Sequence, residues 1–319
     1  MNDDTLTPLV ARRAEPIAQD IQLFELTRAD GGELPEFTAG AHILVQTQSG
    51  LTRRYSLANA PQERDRYVIA VKREANGRGG SVNLVDTTKP GDTVMVSAPR
   101  NDFELVGNPA SYLFIAGGIG ITPIRSMIQH LMNTGGKPYK LLYLSRQPEM
   151  TAFRDELGAP EFRGKVTIHH DYGDPDRSLD LWTVLEKPKG AHMYCCGPRP
   201  LMEAVRDMTG HWSTSAVHFE DFGSGKSSQK ADDKPFAVRL AKRGDVLEIA
   251  ADKTILETLR ASGCTIPSSC ESGTCGSCRV GLVGGEADHR DLVLTDSERL
   301  REIIVCVSRA HSPEIALDL

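Results

Sequence analysis

At 319 residues, 39% apolar and 25% charged, the chain is long enough for two or three domains with separate cores, and its net charge of −6 argues against nucleic acid as a partner. The longest apolar run, Tyr112 to Ile124, is interrupted by three glycines and falls short of a membrane span. The N-terminus, Met-Asn-Asp-Asp-Thr, has neither a basic nor an apolar leader region, so no signal peptide is expected, and the seven cysteines point to a reducing cytoplasm.

Residues from about 8 to 104 read as β structure. Short alternating segments, Ile21 to Leu26 and His42 to Gln46 among them, are separated by Gly, Pro and Asp turn signals, which suggests a closed or nearly closed antiparallel barrel. Two stretches ask for more than packing. Arg53-Arg54-Tyr55-Ser56 puts cation, aromatic ring and hydroxyl side by side, a set suited to a planar ligand with a polar edge. Val71-Lys72-Arg73, followed by Gly77-Arg78-Gly79-Gly80-Ser81, opens a short helix from Ser81 to Val85 and has the makings of a phosphate cradle. Alone, such a basic glycine turn is more often a solvated hairpin.

Together, R-x-Y-S-L and the G-R-G-G-S loop resemble the flavin-binding barrel of the ferredoxin–NADP reductase superfamily. The resemblance implies that Arg54 (Arg53 in the alternative register) and Tyr55 contact the flavin and its phosphate, with Ser56 near the reactive ring nitrogen. Val71, Lys72, Arg78, Gly79, Gly80 and Ser81 are expected to complete that site.

From Ser111 the pattern changes to alternating strand and helix. Ser111 to Ala116 reads as a buried strand, Gly117-Gly118-Ile119-Gly120-Ile121-Thr122-Pro123 as a tight turn, and Ile124 to Leu131 as a helix. Strands follow at Lys140 to Ser145, Lys165 to His169 and Gly190 to Tyr194, the last running into Cys195-Cys196-Gly197-Pro198 and another helix. Such alternation implies a parallel sheet with ligands at the carboxyl ends of its strands. His169 and His170 lack a second pair at ligand spacing and read as structural. The G-G-x-G-x-T-P-I and C-G-P segments resemble the pyridine-nucleotide domain of the same superfamily. By that likeness Gly117, Gly118, Gly120 and Thr122 lie near a pyrophosphate, and Cys196, Gly197 and Pro198 near the nicotinamide, with Cys195 in the core. Ser145 and Arg146, after the next strand, could hold a ribose 2′-phosphate, and no acidic residue there reads the ribose hydroxyls. Phe222 is expected against the flavin, and Phe219 in the core.

Ser224 to Pro235 is polar and rich in Gly, Ser and Lys, and reads as a flexible tether. Beyond it, Ala237 to Ala241 and Val246 to Ile249 suggest a hairpin, and Lys253 to Gly263 an amphipathic helix stopped by glycine. Cys270, Cys275 and Cys278 then follow as C-x4-C-x2-C, answered after 27 residues by Cys306 on a β-like run from Glu302. This is the plant-type spacing for a 2Fe–2S cluster. Structural zinc prefers two C-x2–4-C knuckles, and disulfides are not expected without a secretory signal. Gly273 and Gly276 allow the close turns that wrapping three sulfurs round a cluster requires. The segment resembles plant-type ferredoxin, which implies that Cys270 and Cys275 hold one iron and Cys278 and Cys306 the other. Cys264 is left to packing. Thirteen acidic against ten basic residues in 236–319 give a weak preference for a basic docking surface.

The order of modules resembles the phthalate dioxygenase reductase family, which includes the vanillate demethylase reductases. The fold class implied is multidomain: an antiparallel β-barrel flavin domain (1–104), an α/β parallel-sheet nucleotide domain (105–223), a linker (224–235) and an α+β, β-grasp-like ferredoxin domain (236–319). The function implied is passage of electrons from NADH through FMN to a 2Fe–2S cluster, and then singly to a Rieske-type terminal oxygenase. Ser56 and Cys196 stand at the hydride step, in a monomer without membrane contact. FMN rather than FAD rests on the G-R-G-G-S loop and the family likeness, and NADH rather than NADPH on the likeness alone. Two other readings remain at this point: a reductase serving a haem or diiron acceptor, and a redox sensor without turnover.

Overall fold

The computed structural model describes residues 5–222 and 230–319. The N-terminal alternating runs form β1 (Thr7–Ala18), β2 (Ile21–Thr27), β3 (His42–Gln46), β4 (Thr52–Ser56), β5 (Tyr67–Lys72) and β6 (Thr93–Val96), with helix α1 (Gly80–Thr87) between β5 and β6. They make one antiparallel sheet in the order β4-β3-β6-β1-β2-β5. The Ala58 N–H, just past β4, donates to Val68 O on β5 at 2.7 Å, which draws the two edge strands together and closes the sheet. Leu9, Phe24, Leu26, Ile43, Val45, Ile69 and Val71 fill its interior.

The second sheet is built from β7 (Ser111–Gly117), β8 (Tyr139–Ser145), β9 (Val166–His170), β10 (Ala191–Cys196) and β11 (Val217–Glu220), in the order β11-β10-β7-β8-β9. The strands β10, β7, β8 and β9 are parallel, and β7 is buried over nearly its whole length, as a strand covered on both faces must be. Helices α2 (Ile121–Asn133), α3 (Arg154–Leu157), α4 (Trp182–Leu185) and α5 (Arg199–Met208) connect the strands. The expected helix at Ile124 starts three residues earlier, after a single 3-10 turn at Gly118–Gly120. Pro123 does not prevent this, because a first-turn N–H has no intrahelical acceptor to lose.

The C-terminal strands are β12 (Phe236–Leu240), β13 (Val246–Ile249), β14 (Arg279–Gly284), β15 (Ala287–Asp288), β16 (Glu302–Ile304), β17 (Arg309–Ala310) and β18 (Glu314–Leu317), with α6 (Ile255–Ala261) and α7 (Asp296–Arg299). Five of them form a mixed sheet, β13-β12-β18-β14-β16. Thr254 caps α6 and Thr295 caps α7, each in a capping box with a glutamate three residues on.

The chain divides into two compact units, Met1–His218 and Phe219–Leu319, the division falling inside β11. The barrel and the parallel sheet thus share one unit, because Ala39 and Phe103 from the barrel side enter the core formed by Phe114, Met127 and Tyr143. Of the expected tether, 224–235, only the last residues are described. Residues 223–229 lie outside the described residues, but Asp233 is clasped by Arg290 through bonds of 2.9 and 2.6 Å, within the second unit. Among the described residues no helix is long and apolar enough to cross a membrane.

Candidate functional site

β4 sends its side chains alternately to two faces. Tyr55 and Arg53 lie opposite the core residues Ile43 and Val45, whereas Ser56 and Arg54 lie opposite His42 and Leu44 on the other face. The Arg53 guanidinium donates to the Arg78 carbonyl at 3.0 Å and to the Thr52 carbonyl at 2.8 Å. Its stem runs so close over Gly80 that a Cβ there would come within 2.7 Å of the Arg53 Cγ. Arg54 instead approaches Asp102 at 3.8 Å. The arginine that contacts the glycine-rich loop is therefore Arg53, whereas the sequence favoured Arg54 for the phosphate. Alternation along the strand is the reason.

The loop itself has Gly79 in the left-handed region (φ 76) as the residue before α1, with Arg78 exposed. Ser81 Oγ accepts the Glu74 N–H at 3.1 Å, and Lys72 is ion-paired with Glu74 at 2.5 Å. Val71, expected in the binding set, has its side chain in the barrel core. The Tyr55 hydroxyl is buried without a hydrogen-bond partner, and burial pushes its phenol up to about 12 against the opposing pull of Arg53. An orphaned hydroxyl at the face shared with a cationic glycine turn fits a ligand with a polar ring edge and a phosphate.

On the opposite face, His42 exchanges both backbone hydrogen bonds with Arg100, at 2.8 and 2.9 Å. Its pairing with Ser56 is thus of the non-hydrogen-bonded type, in which facing side chains come closest. His42 is 4% exposed, with Nδ1 lacking a partner, and burial with Arg54 close by lowers its imidazole to about 4. Neither His42 nor Asp102 was expected at the site, since strand register, not composition, brings them to Ser56 and Arg54.

The turn after β7 and the turn after β10 meet at the carboxyl edge of the parallel sheet. A Cβ on Gly117 would lie 2.6 Å from Pro198 Cδ, and one on Gly197 would lie 2.9 Å from the Gly117 backbone. A Cβ on Gly120 would run into the Cys196 carbonyl. Glycine at 117, 120 and 197 is therefore what lets the two turns touch, while Gly118 (φ 53) has open space where its side chain would be. Thr122 is buried and its hydroxyl donates to the Ile119 carbonyl at 3.0 Å, holding the turn. Cys195 and Cys196 are both fully buried, and burial raises the Cys195 thiol. Cys195 was expected in the core and Cys196 near the nicotinamide; both are buried, with Cys196 in the core beneath the turn.

At the end of β8 the Ser145 hydroxyl lies 2.7 Å from that of Thr151, which is 3.0 Å from His170 Nε2. Arg146 is exposed. His169 Nε2 contacts the Arg177 carbonyl at 2.6 Å, consistent with a structural part for both histidines. Phe219 is buried and Phe222 is 39% exposed.

In the second unit the four cysteines stand as two pairs. Cys270 N–H donates to the Cys275 sulfur at 3.5 Å and Cys275 N–H to the Cys270 sulfur at 3.4 Å, with Ser272 N–H adding a third N–H···S bond at 3.4 Å. The Cys275 thiol, followed by the Ser272 N–H, lowers Cys270 against the raising effect of burial, and Cys306 lowers Cys278 in the same way, while Cys275 and Cys306 are pushed up. One thiol of each pair is thereby held toward the thiolate that binds metal. Among the described residues no three His, Cys, Asp or Glu side chains converge on one ion. Two irons, each taking two thiolates, need no such triplet. The loop turns through left-handed Glu271, Gly273 and Gly276 (φ 49, 80 and 76). Arg260 from α6 anchors its entrance, bonding Ser268 and, at 2.7 Å, Glu271. None of the four cysteines is in a disulfide.

Comparison with known proteins accords with this geometry. The family described as oxidoreductase FAD-binding domain matches residues 8–105, the oxidoreductase NAD-binding domain 114–207, and the 2Fe-2S iron-sulfur cluster binding domain 238–311. The phthalate 4,5-dioxygenase oxygenase reductase subunit of Pseudomonas putida is 53% identical over 318 residues, covering 99% of this chain and 98% of that one. The vanillate O-demethylase oxidoreductase of a Pseudomonas strain is 39% identical over 308 residues, 95% and 96% of the two chains. A solved phthalate dioxygenase reductase, described as a modular structure for electron transfer from pyridine nucleotides to a 2Fe-2S centre, superimposes with TM-score 0.72 at 52% identity over 99% of each chain. An antiparallel flavin sheet, a parallel nucleotide sheet and a ferredoxin-type cluster loop on one polypeptide place this oxidoreductase in the phthalate dioxygenase reductase family.

Proposed function

We propose that this chain is a cytoplasmic, monomeric reductase component that draws on NADH and, through FMN and a 2Fe–2S cluster, supplies single electrons to a Rieske-type terminal oxygenase acting on an aromatic compound. The observation that carries the reading is the two-pair thiol arrangement, a one-electron centre on the same chain as a nucleotide site that delivers electrons two at a time. Bound flavin supplies the conversion between the two, accepting a hydride and releasing electrons singly. The protein's part is binding and alignment.

Arg53, with the turn at Arg78, Gly79, Gly80 and Ser81, would hold a terminal flavin phosphate at the start of α1, and Tyr55 would offer its orphaned hydroxyl to the ligand. This end-on cradle is the ground for FMN. Gly117, Gly118, Gly120 and Thr122 would cradle the pyrophosphate, and the Cys196-Gly197-Pro198 turn would border the nicotinamide. Ser145 and Arg146 would border the ribose, Phe222 the flavin, and Ser56 the reacting edge. Cys270, Cys275, Cys278 and Cys306 would ligate the cluster.

The deciding experiment is an anaerobic NADH titration followed by absorbance, on protein whose released flavin has been identified. Bleaching of flavin and iron–sulfur bands together, with FMN released, is the expected result. Bleaching of flavin alone removes the cluster from the path, and release of FAD overturns the FMN assignment.

A further inference from the structure

Arg125 stands on α2, one turn beyond the Gly118–Gly120 turn, with its side chain 15% exposed. Its guanidinium does three things at once. Nη1 donates to the Ala58 carbonyl at 2.5 Å, Nε donates to the two Glu156 carboxylate oxygens at 2.9 and 3.0 Å, and the group lies 4.6 Å from the centre of the Phe153 ring. The next residue, Ser126, is fully buried and donates its hydroxyl to the Asn59 carbonyl at 2.7 Å. Two successive carbonyls of the segment leaving β4 are therefore held by the helix that begins at the nucleotide turn.

The same segment is tied on its other side to the barrel. Ala58 N–H donates to Val68 O at 2.7 Å, and the Asn59 side chain accepts the Val68 N–H at 2.9 Å and donates to Arg66 O at 3.0 Å. Ala58 is two residues past Ser56, and Arg125 is five residues past Gly120. The guanidinium is thus a short rigid link between the proposed flavin strand and the proposed nucleotide turn. It faces a cleft of about 560 Å³, which Asn59, Phe153 and Glu156 also line. Ala58 itself packs against Leu23, Val68 and Phe153, so what the guanidinium adds is a donor for the Ala58 carbonyl and a bridge to α2.

We propose that Arg125 is a positioning residue for hydride transfer, fixing the Ser56–Asn59 segment against the nucleotide turn; the inference rests on the flavin and nucleotide sites proposed above. Hydride transfer is sensitive to alignment at the scale of an ångström, and such a misplacement lowers the rate about 100-fold without a matching change in binding. Arginine is suited to the task because its planar fork meets a carbonyl, a carboxylate and a ring together, which a lysine ammonium does not.

The test uses the holoprotein carrying Arg125→Leu, Arg125→Lys or Ser126→Ala. One readout is amide hydrogen exchange of residues 57–60 in the oxidised protein without nucleotide. The other separates the limiting rate of flavin reduction from the NADH dissociation constant. For Arg125→Leu, exchange at 57–60 is expected to rise about 10-fold and the limiting rate to fall about 10- to 100-fold. Flavin content should stay unchanged and the NADH dissociation constant within about threefold, with partial recovery in Arg125→Lys. An unchanged limiting rate overturns the proposal, as does a loss matched by weaker NADH binding or by lost flavin. If Arg125→Leu does not fold, Ser126→Ala decides by the same two readouts, and unchanged exchange at 57–60 then overturns it. Wild-type protein whose flavin NADH does not reduce sinks the proposed function instead, while the exchange arm still judges the link.

Discussion

Arg53 and Arg54 are neighbours in sequence, yet β4 gives one to the glycine-rich loop and the other to Asp102. Removing a charged donor from a phosphate site costs about 1.5–3 kcal/mol, so Arg53→Ala should weaken flavin retention roughly 10- to 100-fold. Arg54→Ala should leave retention near wild type, measured as flavin remaining after gel filtration at low concentration. The motif was legible in the residues, but which arginine serves it depends on strand alternation, and the part of His42 depends on a register that no local pattern encodes. His42 and His218 are both lowered to about 4, chiefly by burial, from an ordinary 6.5. The fold therefore favours their neutral forms. That contribution is complete above about pH 6.5 and is lost as pH falls toward 4. Urea midpoints of wild type should drop between pH 7 and pH 5, and the drop should shrink in His42→Asn if the buried imidazole is its source.

At the scale of elements, the glycine turns were readable as turns, but the reason for each glycine was not. Gly120 is helical in its backbone (φ −61, ψ −5), so its requirement is purely one of space against the Cys196 carbonyl. Gly120→Ala should destabilise the first unit by about 1–3 kcal/mol through overpacking, seen as a lower melting temperature. In the second unit the sequence pattern located the helix, two residues early at Lys253, and the capping box at Thr254 sets its start at Ile255. Thr254→Ala should lower that unit's stability by about 1 kcal/mol, measured in denaturant. The hairpin of β12 and β13 was legible because its register is local. The clasp of Arg290 on Asp233 was not, since 57 residues separate the pair.

For the molecule as a whole, the cluster and the nucleotide site lie in separate compact units, so Cys278→Ser should abolish the iron–sulfur absorbance while NADH-dependent flavin bleaching persists. Loss of both would show that the units depend on each other. The pairing of the thiols also implies an order of assembly. Cys270 and Cys275 are five residues apart, whereas Cys278 and Cys306 close a loop of 28, a difference of about 1.5 kcal/mol in chain entropy. A nascent chain can offer the first pair to iron as soon as that loop is made, but the second exists only once β14 has paired with β16 through Arg279–Ile304 and Val280–Ile303. Maturation of the cluster is therefore a reporter of folding, and a variant that weakens this strand pair without replacing a cysteine should leave the protein under-loaded with iron when expressed warm.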